Sequence, residues 1–340
     1  PAPANPMTAV VHRCYGSADV LEFASLERPV PGDGEVRVRV TAASVNPLDW
    51  HFMRGSPYLM RLMSGIGSPK DIRLGADFAG IVDAVGPGVT RFAVGDAVFG
   101  GSTGAFAEYL VIGEDRAIAA MPGNVSFDQA AAVGVAGITA LQALRDHGRV
   151  GPGQRVLING ASGGVGTFAV QIAKATGAEV TGVQSSRNLE MVRGLGADRV
   201  IDYTREDYTD GERRYDLVVD MVGNHSVLAN SRVLESDGRL VIVGGPKGDW
   251  FAPLKGLVQS RLFGPFVEPE ITVVLARLRQ EDLVHLAGMM ERGELTPVID
   301  RRYTLAELPD AIRYSESGRA RGKIIVRIRS EDEAAAARLR

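Results

Sequence analysis

One stretch, residues 155–187, constrains the fold of this 340-residue chain more than any other. It begins with a short apolar run at residues 155–159 and continues through a glycine-rich turn at residues 160–166. Apolar side chains then recur at the spacing of a helix. The pattern predicts a buried strand, a tight turn and a helix, an arrangement whose first helical amides face the phosphates of a bound nucleotide.

The glycines of this turn have separate predicted roles. Gly163 allows a pyrophosphate to approach the backbone, and Gly166 lets the helix pack close to the strand. The match to the G-x-G-x-x-G pattern is incomplete, because Ala161 holds the first glycine position. The surrounding strand and helix pattern nevertheless indicates a dinucleotide-binding unit.

The next predicted strand, residues 179–183, ends where many dinucleotide-binding folds place an acidic residue for the adenosine ribose. This chain has Gln184, Ser185, Ser186 and Arg187 there. Two hydroxyls and a guanidinium favour a 2′-phosphate, so the sequence predicts NADP(H) as the cofactor. The alternative is that a serine only caps the following helix and that Arg187 is solvated.

The composition narrows the class of protein. A formal net charge of -3 and a pI near 6.0 give no reason to expect binding to nucleic acid or to a membrane surface. The single cysteine, Cys14, excludes an internal disulfide and a multi-cysteine zinc site, and we expect it to be buried. The apolar run at residues 130–144 is too short to span a bilayer and predicts one buried helix. A cytoplasmic location is expected.

The strand and helix pattern divides the chain into domains. Residues 7–126 show short alternating strands bounded by glycine and proline turns, whereas from residue 127 onward strands alternate with helices. We therefore predict an α/β protein in which residues 1–127 and 281–330 form a mostly β domain. Residues 128–280 form the dinucleotide-binding domain, and residues 331–340 form a C-terminal tail.

Further motifs resemble the medium-chain dehydrogenase/reductase superfamily, and within it the zinc-free quinone oxidoreductase branch. The narrower resemblance is to bacterial NADP-dependent oxidoreductases related to the reticulon-interacting mitochondrial protein. It implies a Rossmann doubly wound parallel sheet plus a mostly β GroES-like catalytic domain. The motifs that carry it, besides the glycine-rich turn, are residues 44–50, 75–82, 94–99, 136–140, 195–203, 293–303 and 318–326.

The resemblance also predicts that no metal is bound. Zinc-dependent members hold their catalytic zinc with a cysteine, a histidine and a second cysteine. Alignment on the motifs places Asn46, Ala76 and Val135, or its neighbour Gly134, at those positions. None of these side chains supplies the required ligand.

The resemblance implies a set of cofactor-binding residues. Lys323 is included as a cofactor neighbour, although a lysine that opens a strand is often simply exposed. Lys174 on the first helix is either near the phosphate or a solvated lysine. The predicted contacts cover the pyrophosphate, the 2′-phosphate and adenine end, and the nicotinamide; they are Thr139, Ser162, Gly163, Gly164, Val165, Gly166, Ser185, Arg187, Tyr203, Gly244 and Lys323.

Without zinc, hydrogen-bond donors must polarise the substrate carbonyl, and two residues are the predicted catalytic candidates. The amide of Asn46 could donate to a quinone or enone oxygen, or it could brace the loop at Pro47. The phenol of Tyr58 lies in the long loop at residues 55–74 and could donate a hydrogen bond or a proton, or it could be an ordinary exposed tyrosine. His51 is a weaker candidate.

These observations predict a zinc-independent, NADPH-dependent reductase of quinones or α,β-unsaturated carbonyls, small-molecule substrates in either case. Two alternatives stay open: an enoyl-thioester or aldehyde reductase of the same fold, and a non-catalytic NADPH-binding protein with a structural or sensing role. Residues 246–269 are rich in large apolar side chains and suit a substrate-pocket wall, a subunit contact or a core layer. The resemblance implies a homodimer, because in this superfamily a strand like residues 271–275 often pairs with its twin in a second copy; it would otherwise be an exposed apolar edge.

Overall fold

The computed structural model describes residues 3–244, 258, 260–262 and 267–329. The predicted tail at residues 331–340 and most of the apolar segment at residues 246–269 therefore lie outside the described residues. The chain divides into two compact units. The first comprises Pro1–Ile138, Leu278–Gly293 and Pro297–Arg340, and the second comprises Thr139–Arg277 and Glu294–Thr296.

The strands and helices follow the predicted order of a mostly β segment and then alternating strands and helices. The strands are β1 Pro6–His12, β2 Leu21–Glu27, β3 Glu35–Val45, β4 Asp77–Val85, β5 Ala97–Gly101, β6 Tyr109–Gly113, β7 Ile118–Ala120, β8 Arg155–Asn159, β9 Glu179–Gln184, β10 Arg199–Asp202, β11 Tyr215–Asp220, β12 Leu234–Ile242, β13 Glu270–Val273, β14 Ile299–Thr304 and β15 Lys323–Arg327. The helices are α1 Pro47–Arg54, α2 Arg61–Ser64, α3 Phe127–Ala131, α4 Gly134–Gln142, α5 Gly164–Ala175, α6 Leu189–Gly194, α7 Val227–Ser231, α8 Gln280–Glu291 and α9 Leu308–Glu316.

The first unit is built around β3, which pairs with β4, β6 and β15. The main sheet has the order β14-β15-β3-β4-β5-β7, and β1 and β2 form a separate antiparallel pair. At the start of β3, Val36, Val38 and Val40 are fully buried while the alternating charged residues are half-exposed, as a strand with one wet face requires. The mostly β character predicted for this part of the chain is confirmed.

The register of three strands brings their ends together. Val45 of β3 pairs with Ile324 of β15, and Ser44 pairs with Asp77 of β4. Lys323, at the start of β15, therefore lies next to the residue that follows β3, which is Asn46. This meeting of strand ends positions the polar cluster described below.

The helical segment after residue 126 differs from the prediction in two ways. The single helix predicted over residues 130–144 is wrong, because α3 and α4 are separate helices, followed by a π-helical turn at Ala143–His147. The division between the units falls at Ile138, inside α4, rather than at residue 127. The physical reason is that Asp128 of α3 is buried and its carboxylate accepts hydrogen bonds from Arg302 and Arg327 of the first unit.

The described residues of the second unit form a parallel sheet of six strands in the order β10-β9-β8-β11-β12-β13. The direction of winding reverses between β8 and β11, which is the topological switch point where such sheets bind ligands at the carboxyl ends of their strands. The Rossmann arrangement predicted from the sequence is confirmed. Within the described residues, no helix has the length and apolar character needed to cross a membrane.

Candidate functional site

The turn between β8 and α5 has the geometry of a phosphate-binding loop. Gly160 has φ +89°, a conformation that favours glycine. A Cβ added at Gly166 would lie 2.1 Å from the carbonyl oxygen of Gly160, so only glycine lets the helix approach the turn this closely. Gly163 is the N-cap of α5 and provides no side-chain cap, which leaves the first amides of the helix without intrahelical partners.

Buried polar groups without partners lie beside this turn. Within the described residues, neither the Nε2 nor the Oε1 of Gln184, at the end of β9, has a hydrogen-bond partner, although the side chain is buried. Asn188 donates from Nδ2 to the Oγ of Ser162 at 2.9 Å, but its buried Oδ1 accepts nothing from the residues described. Unpartnered buried polar atoms are costly, so these groups are suited to a polar ligand. The sequence analysis assigned no role to Gln184 or Asn188.

The three residues predicted at the 2′-phosphate and adenine end lie at the surface of the second unit. Ser185 is half-exposed and precedes a short 3₁₀ turn, and its hydroxyl does not cap that turn. Arg187 and Tyr203 are exposed, and the backbone N–H of Tyr203 donates to the carbonyl of Gln184. All three are therefore close in the fold to the end of β9.

A carboxylate that the sequence analysis did not anticipate lies in the same region. Asp202, at the end of β10, accepts hydrogen bonds from the hydroxyls of Ser186 and Thr204, and these bonds hold the pKa of its carboxyl below the ordinary value. The guanidinium of Arg205 lies 3.5 Å from the same carboxylate. Lys174 pairs with Asp198 at 2.8 Å, which favours the solvated-lysine alternative for that residue.

Two more of the predicted cofactor residues are Thr139 and Gly244. Thr139 is buried in α4, and Gly244 follows β12, where a Cβ would lie 2.1 Å from the carbonyl oxygen of Met221. The turn, the open helix start and the unpartnered amides together suit the pyrophosphate and adenosine parts of a dinucleotide. The second unit is therefore built to bind a pyridine nucleotide.

Asn46, predicted as a catalytic donor, and Lys323, predicted as a cofactor neighbour, are in direct contact in the first unit. The Nζ of Lys323 donates to the Oδ1 of Asn46 at 2.6 Å and to the Oδ2 of Asp77 at 3.2 Å. That same oxygen of Asp77 accepts from the Nδ2 of Asn46 at 2.8 Å and from the Oγ of Ser44 at 2.9 Å. All four side chains are buried. We call Ser44, Asn46, Asp77 and Lys323 the β3-end cluster.

The contacts of the β3-end cluster bear on the alternatives considered for Lys323 and for Asn46. Lys323 is only 3% exposed, so it is not the exposed strand lysine that was considered. The amide of Asn46 donates to Asp77 and accepts from Lys323, and its backbone N–H donates to Asp49 at 2.7 Å. The Asn46 side chain thus braces its surroundings as well as being a candidate donor.

Burial raises the pKa of the Asp49 carboxyl from 3.8 to about 7. The negative charge of Asp77 also raises this pKa, while the ammonium of Lys323 and the backbone N–H groups of Asn46 and Gly75 oppose the shift. Asp49 is therefore a carboxyl that exchanges its proton near neutral pH beside the β3-end cluster.

The raised pKa of Asp49 predicts a pH-dependent stability. Between pH 3.8 and about 7 the folded chain keeps a proton on Asp49 that the unfolded chain releases, so the free energy of unfolding falls as the pH rises through this window. The loss is at most roughly 4 kcal/mol at about 1.4 kcal/mol per pH unit. Asp49→Asn keeps the acceptor for the Asn46 N–H and cannot ionise. We therefore expect the Tm of Asp49→Asn minus the Tm of the unaltered protein to become more positive as the pH is raised from 4 to 8.

Thermal unfolding followed by circular dichroism at several pH values measures this difference. Asp310→Asn is the control, because the ion pair of Asp310 with Arg313 is exposed and is its only ion pair with a residue that the structure describes. Parallel Tm curves for the unaltered protein and Asp49→Asn would show that Asp49 ionises at its ordinary pH.

Tyr58 lies apart from the contacts described for the β3-end cluster. The residue is 36% exposed, and the guanidinium of Arg61 lies 4.6 Å from the centroid of its ring. His51 shares a hydrogen bond of 2.6 Å with the carbonyl of Ser56 through Nδ1 and stacks on Trp50, which indicates a structural role. Cys14 is exposed, so the expectation of a buried thiol is wrong.

The residues that align with zinc ligands do not form a zinc site. Asn46 is engaged with Lys323 and Asp77, Ala76 has no donor atom, and the backbone N–H of Val135 donates to the Oδ1 of Asp77 at 2.7 Å. Across the described part of the chain, no group of three or more His, Cys, Asp or Glu side chains could hold a metal ion. These residues do not fit a zinc ion.

A doubly wound sheet with this nucleotide-binding turn, on the same chain as a mostly β unit, defines a two-domain pyridine-nucleotide oxidoreductase. Residues 32–123 match the family model of the alcohol dehydrogenase GroES-like domain, and residues 195–326 match that of the zinc-binding dehydrogenases. The class inferred from the fold and the family models agree.

Curated relatives and solved structures match nearly the whole chain. The chloroplast envelope quinone oxidoreductase homolog of Arabidopsis thaliana is 33% identical over 339 residues, which cover 94% of this chain and 98% of the relative. The 2-methylene-furan-3-one reductase of Solanum lycopersicum is 31% identical, over 94% of this chain and 79% of the relative. The structure of the quinone oxidoreductase from Coxiella burnetii has a TM-score of 0.85 and 29% identity, over 96% of this chain and 100% of that one.

This chain belongs to the medium-chain dehydrogenase/reductase superfamily and is an oxidoreductase homologous to quinone oxidoreductases. The narrower resemblance to the reticulon-interacting mitochondrial protein stays a prediction.

Proposed function

We propose that this protein is a zinc-independent, NADPH-dependent reductase that transfers a hydride to a quinone or an α,β-unsaturated carbonyl. The observation that carries the proposal is the open phosphate-binding turn before α5, with the unpartnered buried groups of Gln184 and Asn188 beside it. When bound, the reduced nicotinamide supplies the hydride. The residues of this chain bind and orient the two reactants.

The preference for NADPH rests on the surface beside the end of β9. A hydroxyl at Ser185 and a guanidinium at Arg187 are suited to a phosphate, and both side chains reach solvent. The negative charge of Asp202 is satisfied by Ser186 and Thr204 and lies near Arg205. The exposed guanidinium of Arg187 is the cation that we propose for the 2′-phosphate.

The proposed substrates follow from the relatives and from the polar groups of the first unit. The names of two relatives specify a quinone oxidoreductase and a reductase of a ketone conjugated to a methylene group. Both kinds of substrate develop negative charge on an oxygen when they accept a hydride. We propose that Tyr58 donates a hydrogen bond to that oxygen and that Asn46 helps to polarise it, either directly or through the groups that Asn46 orients.

The assembly and location of the protein are also proposals. β13 is an edge strand that pairs only with β12 among the described residues, and Val273 and Leu275 beside this edge are 36% and 88% exposed. Pairing of β13 with its counterpart in a second copy would cover these side chains, so we propose a homodimer. The proposed location is the cytoplasm.

Oxidation of NADPH, with NADH in parallel, against quinones, enones, enoyl thioesters and aldehydes tests the proposal. We expect turnover of quinones or enones that prefers NADPH and is unchanged by a chelator. Turnover that the chelator abolishes would contradict the zinc-independent assignment. A preference for thioesters or aldehydes would select the alternative substrates, and tight NADPH binding without turnover would select the non-catalytic alternative.

A further inference from the structure

The ammonium of Lys323 is buried, and one of its N–H bonds has no hydrogen-bond acceptor among the described residues. Its three N–H bonds have two acceptors among the described residues, the Oδ1 of Asn46 and the Oδ2 of Asp77. The side chain is 97% buried by area, because its relative exposure is 3%. A buried donor without a partner is costly, so the third N–H is suited to an oxygen that arrives with a ligand.

This ammonium lies among the positions that align with zinc ligands. Asn46 contacts it directly, and Ala76 immediately precedes the Asp77 that pairs with it. At the third position, a Cβ added at Gly134 would lie 2.3 Å from the Oδ1 of Asp77. A zinc-ligating cysteine at Gly134 would therefore collide with the carboxylate. The pair formed by Asp77 and Lys323 thus places a protein cation and its counterion among these positions.

The side-chain NH₂ group of Asn46, which is the donor of its carboxamide, already has an acceptor within the β3-end cluster. The Nδ2 of Asn46 donates to Asp77 at 2.8 Å, with a second, marginal contact at 3.5 Å to the carbonyl of Ser44. The oxygen of the same amide accepts from Lys323. Asn46 is thus better placed to orient the ammonium than to bind a substrate itself.

We infer that Lys323 is a catalytic residue whose third N–H donates to the substrate carbonyl oxygen, with Asn46 and Asp77 as positioning residues. The inference rests on the proposed function. When an enone accepts the hydride of the dihydronicotinamide at its β-carbon, the new C–H bond forms, the C=C pair shifts and the carbonyl pair moves onto oxygen. The ammonium stabilises this enolate, and a solvent proton then adds to the α-carbon. A quinone gives a hydroquinone anion in the same way.

The test must separate the missing ammonium from a damaged fold. Lys323→Met alone leaves the buried carboxylate of Asp77 without its cation and is expected to destabilise the chain. The double variant Lys323→Met/Asp77→Asn removes both charges and keeps hydrogen-bonding groups at position 77. We expect the double variant to recover the Tm but to show a kcat lower by roughly 100-fold to 1000-fold, the usual cost of removing such a donor.

The matched control is Arg37→Met/Asp83→Asn, which removes a half-buried ion pair from the same strands, β3 and β4. Its kcat should change by no more than about twofold, as is usual for interactions outside the site. The Kd of NADPH should be unchanged in both double variants. Recovery of kcat together with Tm in Lys323→Met/Asp77→Asn would overturn the inference and leave Lys323 with a structural role.

A second readout distinguishes catalysis from structure. A donor to the oxygen matters most for the least activated substrate, so the loss of kcat should be larger for a simple enone than for an electron-poor quinone. An equal loss for both substrates would overturn the inference. If the unaltered protein reduces neither substrate, the proposed function itself has failed, which is a different result from an active double variant.

Discussion

Gly166→Ala should abolish nucleotide binding and unfold the second unit at a much lower temperature. The added Cβ would lie 2.1 Å from the carbonyl oxygen of Gly160 and 2.8 Å from the backbone of Ala161. Because both neighbours are backbone atoms of the turn, α5 must move away from it, and overpacking of this kind costs about 1–3 kcal/mol or more. The displaced helix start would no longer present its amides to the pyrophosphate. Thermal unfolding and titration with NADPH measure the two effects.

Two other glycines give matched controls. A Cβ at Gly163 would meet only the Gly160 carbonyl, at 3.4 Å, so Gly163→Ala should keep the Tm and weaken NADPH binding by obstructing the phosphate. Gly194, in α6, has nothing within 4 Å of an added Cβ, so Gly194→Ala should preserve both the Tm and the affinity. A Gly163→Ala variant with undiminished affinity would show that the phosphates do not approach this turn.

Ser185→Asp combined with Arg187→Ala should reverse the cofactor preference. The double change removes the guanidinium from the proposed 2′-phosphate site and adds a carboxylate that repels a phosphate but accepts hydrogen bonds from a ribose. A hydrogen bond to a charged group contributes about 1.5–3 kcal/mol, so the affinity for NADPH should fall by roughly 100-fold when the repulsion is included. The affinity for NADH should be retained or improved. Titration calorimetry with each nucleotide measures the ratio.

Arg214→Ala is the control for overall charge, because Arg214 is an exposed arginine of the same unit that bonds only to backbone carbonyls among the described residues. It should leave both affinities within about threefold, as expected for a surface substitution. An NADPH affinity that is unchanged in the double variant would exclude Ser185 and Arg187 from the phosphate site.

The sequence predicted the elements whose signals are local. The apolar run of β8, the turn and α5 follow one another in the chain, and the alternation at the start of β3 is visible over a few residues. The apolar segment at residues 130–144 could not show that α3 and α4 are separate helices, because its small apolar side chains are equally compatible with one helix or with two. The carboxylate of Asp202 was missed for a related reason: it comes from the next strand and reaches Ser186 only in the folded sheet.

The β3-end cluster shows the limit of local reasoning most clearly. Asn46 and Lys323 were each selected from their motifs, but 277 positions separate them in the chain, and only the register of β15 on β3 brings them together. Asp77 received no role of its own from the motif at residues 75–82, yet it is the acceptor that unites the cluster. The orientation of a buried amide depends on all of its partners, so it could not be deduced from any one segment.

The late position of β15 in the chain has a consequence for how the protein is synthesised. β3 emerges from the ribosome early, yet its partner β15 follows after the entire parallel sheet of the second unit. The second unit can complete its sheet from a nearly continuous segment, whereas the first must wait with an unpaired edge on β3. Chains arrested before residue 323 should therefore leave that edge exposed, and the ammonium of Lys323 reaches its place only after the sheet of the second unit has been synthesised.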